Sequence, residues 1–202
     1  MQKSRKNTEQ RILRAVETLL RDQGFSEVGI NSIARTAGCD KVLIYRYFGG
    51  FEGLLERFAG EHTLWWDARE IMPDETPETR QMSLPEFLEA LLKRHIAAVR
   101  ALPLAQEIMA WEMSASNTLT RALNRTRSEQ GMLLVKLVRR RFDNPSIDIG
   151  GILGIFGTAV NYLVIRTRHQ QSEYATEEWW RLEQTISSLL QCQAQSKGGN
   201  HP

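Results

Sequence analysis

The 202-residue chain holds only two cysteines and four histidines. Cys39 and Cys192 stand far apart in unlike contexts, which excludes a disulfide framework and leads us to expect a reducing compartment, the cytoplasm. His62, His95, His169 and His201 show no paired spacing of the kind that holds a metal. No glycine-rich phosphate loop follows a strand, and no nucleophile sits in a recognisable motif. An enzyme is therefore not expected, and the sequence calls for no metal and no cofactor. The opening Met-Gln-Lys-Ser-Arg-Lys is basic but leads into an amphipathic helix rather than an apolar segment, so it does not read as a secretory signal.

Nor is there much charge of one sign, since the net value is +2. The balance is uneven along the chain, however. Residues 1–50 hold nine Lys and Arg against five Asp and Glu, an excess of four cations, and the remainder carries a deficit of two. A cationic front end is where neutralisation of phosphates would be needed. With 42% hydrophobic and 25% charged residues, the chain has the composition of an ordinary globular protein able to bury a core.

The stretch Ile30–Phe48 carries the most information. Ile30, Ile33, Ala34 and Ala37 follow helical steps, Gly38 suits a left-handed helix end, and Asp40 suits the cap of a second helix over Lys41–Tyr47. The Gly49-Gly50 pair stops that helix. Two short helices across a glycine turn read as a helix-turn-helix, whose second helix lies in a DNA major groove. In it Ile44 and Phe48 can pack inward, while Lys41, Tyr45, Arg46 and Tyr47 crowd the remaining surface with long donors. Lys and Tyr hold phosphates, Arg reads guanine at O6 and N7, and Leu43 or Val42 can touch a thymine methyl. The same spacing also describes a helical hairpin with a solvated cationic rim.

Ahead of it, residues 1–7 form a polar arm with Lys3, Arg5 and Lys6, either lying on DNA or a solubilising tail. Asn7 or Thr8 caps a first helix through Ile12, Ala15, Val16, Leu19 and Leu20 to Gly24, and Phe25 folds back on the core. Behind it, one helix is expected from Phe51 to about Glu70, with Trp65 and Trp66 on its apolar face, and Met72–Thr79 as a loop. Ser83-Leu-Pro-Glu86 opens a helix to about Ala101 with a capping box; others cover Leu104–Met113 and Thr118–Arg141. Asp143-Asn-Pro-Ser146 is a turn. Ile149–Ile165 is seventeen residues without charge, close to the roughly 20 of a membrane span. The glycines Gly150, Gly154 and Gly157, followed by Asn161, give it one nearly flat face, so burial in a bundle or subunit interface is expected instead. A last helix from Thr176 carries Trp179, Leu182, Ile186 and Leu189 on one face, and residues 196–202 read as a disordered tail.

From Thr8 to Leu55 the order Ile12-Leu13, Ala15, Leu19-Leu20, Gly24-Phe25, Ile33-Ala34, Ala37-Gly38, Lys41, Tyr45, Phe48 resembles the TetR family of transcriptional regulators. The resemblance implies an all-α fold of about nine helices. It places a three-helix DNA-binding domain at 1–50 and a larger helical ligand-binding and dimerisation domain at 51–195. It implies a homodimer formed through the last two helices, with Gly150, Gly154, Gly157, Asn161, Trp179, Leu182, Ile186 and Leu189 at the interface. It implies that Lys41, Tyr45 and Tyr47 meet phosphates of a palindromic operator while Val42, Leu43 and Arg46 approach bases. It further implies a small-molecule effector, for which Trp65, Trp66, Met109, Trp111, Met113, Met132, Phe156 and Tyr162 are candidate lining groups. Their nature points to an apolar or aromatic ligand, although Met and Trp at helical spacing also simply fill space. Glu112 either orients that ligand or pairs with an arginine. The chain departs from the family at Gly29, where Ser or Thr is common, at the bulky Val42-Leu43 pair, and at Gly50-Phe51, where a Ser-Lys pair is usual. Cys39 suits a small apolar position and is given no redox role. A rival reading is an architectural helical dimer that binds DNA without sequence preference.

Overall fold

Helical periodicity runs almost throughout, and the computed structural model is correspondingly all helix. It describes residues 2–142, 147–168 and 173–195. Among these, eleven α-helices and no strand occur: α1 (Gln2–Gln23), α2 (Ile30–Ala37), α3 (Val42–Phe48), α4 (Phe51–Glu61), α5 (Ala68–Ile71), α6 (Pro77–Gln81), α7 (Leu84–Arg100), α8 (Pro103–Glu112), α9 (Thr118–Arg141), α10 (Ile149–Thr167) and α11 (Glu173–Gln195). The helices α5 and α6 are single turns that hydrophobic periodicity does not signal. The turn expected at Asp143–Ser146 and the tail expected from Ser196 lie outside the described residues.

The chain divides into two compact units. One gathers the residues up to Trp65 with Leu102–Ser128, the other Trp66–Ala101 with the residues from Glu129 on. In the first, the stripe Ile12, Val16, Leu19 and Leu20 of α1 is fully buried, and α1 packs on α2 and α8 while α3 packs on α4. Phe25 does fold back: its ring stacks on Trp111 of α8 at 6.0 Å between centroids. Asn117 caps α9, its side-chain oxygen accepting from the amides of Leu119 and Thr120 at 2.9 and 3.0 Å. Glu52 of α4 reaches the same helix start, accepting from the Thr118 amide at 3.0 Å and from its hydroxyl, which holds the Glu52 carboxyl below the usual range.

The second unit is built around α7, whose Phe87, Leu88, Leu91, Leu92, Ile96 and Val99 are buried against α5, α10 and α11. Its start is the capping box read from the sequence, with the Ser83 amide donating to the Glu86 carboxylate at 2.8 Å. Arg94 ties α5 to α7 by donating to the carbonyls of Ile71 and Glu70 at 3.1 and 3.0 Å. His95 is buried edge-on to Trp66, 5.2 Å between ring centroids, and burial lowers its pKa from 6.5 to about 4.

Four expectations need correction. The first helix begins at Gln2, not at Asn7 or Thr8, because an Arg5–Glu9 ion pair at 2.7 Å, four residues apart, supports an extra turn; the polar arm is helical. The helix from Phe51 stops at Glu61 instead of running to Glu70. His62 is extended, its ring stacks on Phe58, and its Nδ1 lies 2.8 Å from the Phe58 carbonyl oxygen, so Trp65 and Trp66 are buried in the following segment and not on a helix face. Part of the expected loop Met72–Thr79 is helical, since Thr76 caps α6 and Pro77 suits its first position. The last helix starts at Glu173, before the Thr176 expected to open it.

Candidate nucleic-acid interface

The turn between α2 and α3 is held at both ends by local chemistry. Gly38 adopts the left-handed conformation, φ 61° and ψ 46°, letting the amides of Gly38 and Cys39 reach back to the carbonyls of Arg35 and Ala34 at 3.1 and 3.0 Å. Arg11 of α1 closes the same helix end by donating to the carbonyls of Ala37 and Gly38, the latter at 2.9 Å, a cation where the helix dipole is negative. Asp40 accepts from the Val42 amide at 2.8 Å and so starts α3. Gly29 has no side chain to cap α2, and Ser32 supplies half of the box instead, accepting from the Gly29 amide at 3.1 Å. Arg11 and Ser32 were missed in the sequence. Arg11 acts across 26 residues, a distance that no local spacing encodes.

Ile44 anchors α3, being fully buried, while Lys41, Val42, Tyr45 and Arg46 are exposed and Leu43, Tyr47 and Phe48 are half-buried. Val42 is 61% exposed, so of the two residues offered to a thymine methyl it is the more accessible. One face of the Tyr47 ring is occupied by the Arg5 guanidinium, 5.1 Å from the ring centroid. The following helix approaches very closely: a β-carbon at Gly53 of α4 would stand 2.0 Å from the carbonyl oxygen of Phe48. Cys39, half-buried in the turn, has its thiol pKa raised, burial outweighing the opposing charge of Arg11. That makes it less reactive, not more.

Residues 12–58 match the family model described as bacterial regulatory proteins, tetR family. This is a TetR-family domain. The chain as a whole has the fold of TetR-family regulators. It superposes with a TM-score of 0.58 on a protein described as a TetR-family transcriptional regulator from Rhodococcus sp., at 20% identity over 90% of this chain and 99% of that one. NalD of Pseudomonas aeruginosa, the secondary repressor of the MexAB-OprM multidrug efflux pump, gives 0.56 at 16% identity over 91% and 95%. FadR of Bacillus halodurans, a fatty acid degradation regulator, gives 0.55 at 19% over 91% and 94%. At such identities the likeness is one of fold. No curated protein sequence matches the chain.

Outside the TetR-family domain, the residues proposed for an effector are scattered. Trp65, Trp66, Met109 and Trp111 are buried, Phe156 is half-buried, and Met113, Met132 and Tyr162 are 73%, 67% and 60% exposed. Trp111 is accounted for by the Phe25 and Phe51 rings that pack on it. Glu112 pairs with Arg127, whose Nη2 lies 3.1 and 3.0 Å from its two oxygens. An open cleft of about 690 Å³ lies within the first unit, and of the eight candidates only Trp65 lines it.

The residues proposed for dimerisation divide in the same way. Trp179 and Ile186 are buried inside their own chain, where α11 packs on α7 and the Trp179 Nε1 donates to the Thr167 hydroxyl at 3.3 Å. They are therefore withdrawn from any partner; among the α11 residues whose exposure is described, residues 177–189, Trp180 and Leu189 are the large apolar groups left exposed, and Leu182 is half-buried. On α10, Gly154 is exposed and Gly150, Gly157 and Asn161 are half-buried, next to Ile155, which is 71% exposed. By length and composition α10 is apolar enough to cross a membrane, yet only 28% of its most apolar 18-residue window is buried in the single chain. Burial within the chain, one of the two expectations for this helix, is thus largely not realised.

Proposed function

We propose that the chain is a cytoplasmic DNA-binding transcriptional regulator, a repressor that grips a palindromic operator as a homodimer and is released by a small molecule. Residues 1–50 then read DNA, and residues 51–195 dimerise and sense. The observation that carries this reading is α3, fixed by the buried Ile44 and offering Lys41, Val42, Tyr45 and Arg46 to solvent within the matched TetR-family region. Lys41, Tyr45 and the free edge of Tyr47 take phosphates, Arg46 takes a guanine, and Val42 with Leu43 lies over neighbouring bases. Pairing through the glycine face of α10 and the exposed Trp180 and Leu189 of α11 covers apolar surface that a single chain leaves in water. It also fixes the separation of two recognition helices. Release follows when a ligand prefers the subunit geometry that does not fit the operator; a preference of about 1–3 kcal/mol weakens binding roughly 5- to 150-fold.

The test is selection of bound sites from random DNA by the full chain. An inverted repeat, bound with modest salt dependence relative to random competitor, is expected. Enrichment of no sequence, with binding that collapses as salt rises, would replace this reading with that of an architectural DNA-binding dimer.

A further inference from the structure

The cleft in the first unit has a chemistry that its apolar candidates do not predict. It opens between the end of α4 with the segment after it and the first turns of α9, and its volume of about 690 Å³ suits a small molecule. Arg121 and Arg125 line it from α9, four residues apart and so on one face of that helix. Arg125 has no ion-pair or hydrogen-bond partner among the described residues. Arg121 is shared: its Nη2 stands 3.1 Å from the Thr118 hydroxyl and 3.7 Å from the Glu52 carboxylate. Leu64 and Trp65, both buried, supply apolar lining, and Glu56 is the single carboxylate of the wall.

We propose that this cleft binds a monoanionic carboxylate with an apolar body, the carboxylate taken by Arg121 and Arg125 and the body laid against Leu64 and Trp65. Two guanidiniums one turn apart fit one carboxylate with charge-assisted hydrogen bonds. A second negative charge on the ligand meets Glu56, which selects against dianions. The bound carboxylate competes with Glu52 for Arg121 and so loosens the clasp between α4 and α9. Only that last consequence rests on the regulatory reading above, and it names the chemistry of the effector.

Titration calorimetry on the full chain without DNA tests the site, so loss of operator recognition and loss of this site are read separately. The probes are 4-phenylbutyrate, its amide and the dianion phenylsuccinate. The acid is expected to bind one per chain and about tenfold tighter than the amide, with phenylsuccinate weaker than the acid. Arg125→Gln is expected to remove the difference between acid and amide. Glu52→Gln is expected to tighten the acid severalfold, because the internal competitor loses its charge. No binding of any probe, equal binding of acid and amide, or an acid affinity unmoved by both Arg125→Gln and Arg121→Gln overturns the proposal.

Discussion

The helices α3 and α10 both leave apolar side chains in water, for opposite reasons. α3 has seven residues, one fully buried anchor, and an exposed set in which Val42 and Tyr45 stand among Lys41 and Arg46. Its apolar groups are interleaved with donors, which is what a surface meeting phosphates and base edges needs. α10 has nineteen residues with no charge before Arg166, and its exposed Ile155 and Tyr162 are accompanied by a glycine, Gly154, around which nothing lies within 4 Å of a built β-carbon. Apart from the Tyr162 hydroxyl and Thr158, whose hydroxyl donates to the Gly154 carbonyl at 2.8 Å, this exposed face is carbon, which suits contact with another apolar surface. The exposed face of α3 is thus mixed in polarity and rich in donors, whereas that of α10 is mostly apolar.

The largest effect that sharpens this contrast is expected at Gly154. A β-carbon there has open space around it, with no atom from another part of the chain within 4 Å, so Gly154→Leu is expected to fold with unchanged helicity but to sediment as a monomer, at a cost in pairing of about 2 kcal/mol or more. A variant that stays dimeric in sedimentation moves the interface off α10. Acid separates the two units next. The unfolded chain takes a proton at His95 below about pH 6.5, the folded chain only below about 4. Stability is therefore whole above 6.5 and falls by roughly 3 kcal/mol as the pH drops toward 4. Hydrogen exchange should show the loss in α7 and not in α1, and His95→Phe should abolish it; equal loss in both helices contradicts the assignment.

A smaller and more local effect is expected on α3. Arg46→Ala should cost about 1–3 kcal/mol on the selected operator and relax the choice of one base, whereas Lys41→Ala weakens all sequences alike. Equal loss on operator and random DNA for Arg46→Ala removes its assigned role. Smallest is the cap: Asp40→Ala should lower thermal stability by about 1 kcal/mol through the lost bond to the Val42 amide, measured by thermal unfolding. No change in the midpoint would mean that Lys41 and the preceding turn start the helix without it.

What was legible in the sequence follows the same divide. Gly38, Asp40, the Ser83–Glu86 box and the limits of α9 act over three or four residues, and each was read where the structure has it. The end of α4 was not, because Trp65 and Trp66 continue an apolar rhythm past the point where the backbone becomes extended at His62. On α11 the stripe of Trp179 and Ile186 correctly announced a covered face, but periodicity does not say by what, and the cover is α7 of the same chain. The arginines of the cleft were invisible for a related reason: Arg121 and Arg125 look like ordinary solvated charges until the segment around Leu64 is placed opposite them.

The bare backbone at Gly53 has a mechanical consequence. Where most neighbouring helices meet through side chains that can rotate and absorb a displacement, here the start of α4 rests on the last carbonyl of α3 with no cushion between. If α4 tilts, the displacement bears directly on the carbonyl that ends α3, the helix that Lys41 caps and that carries Arg46.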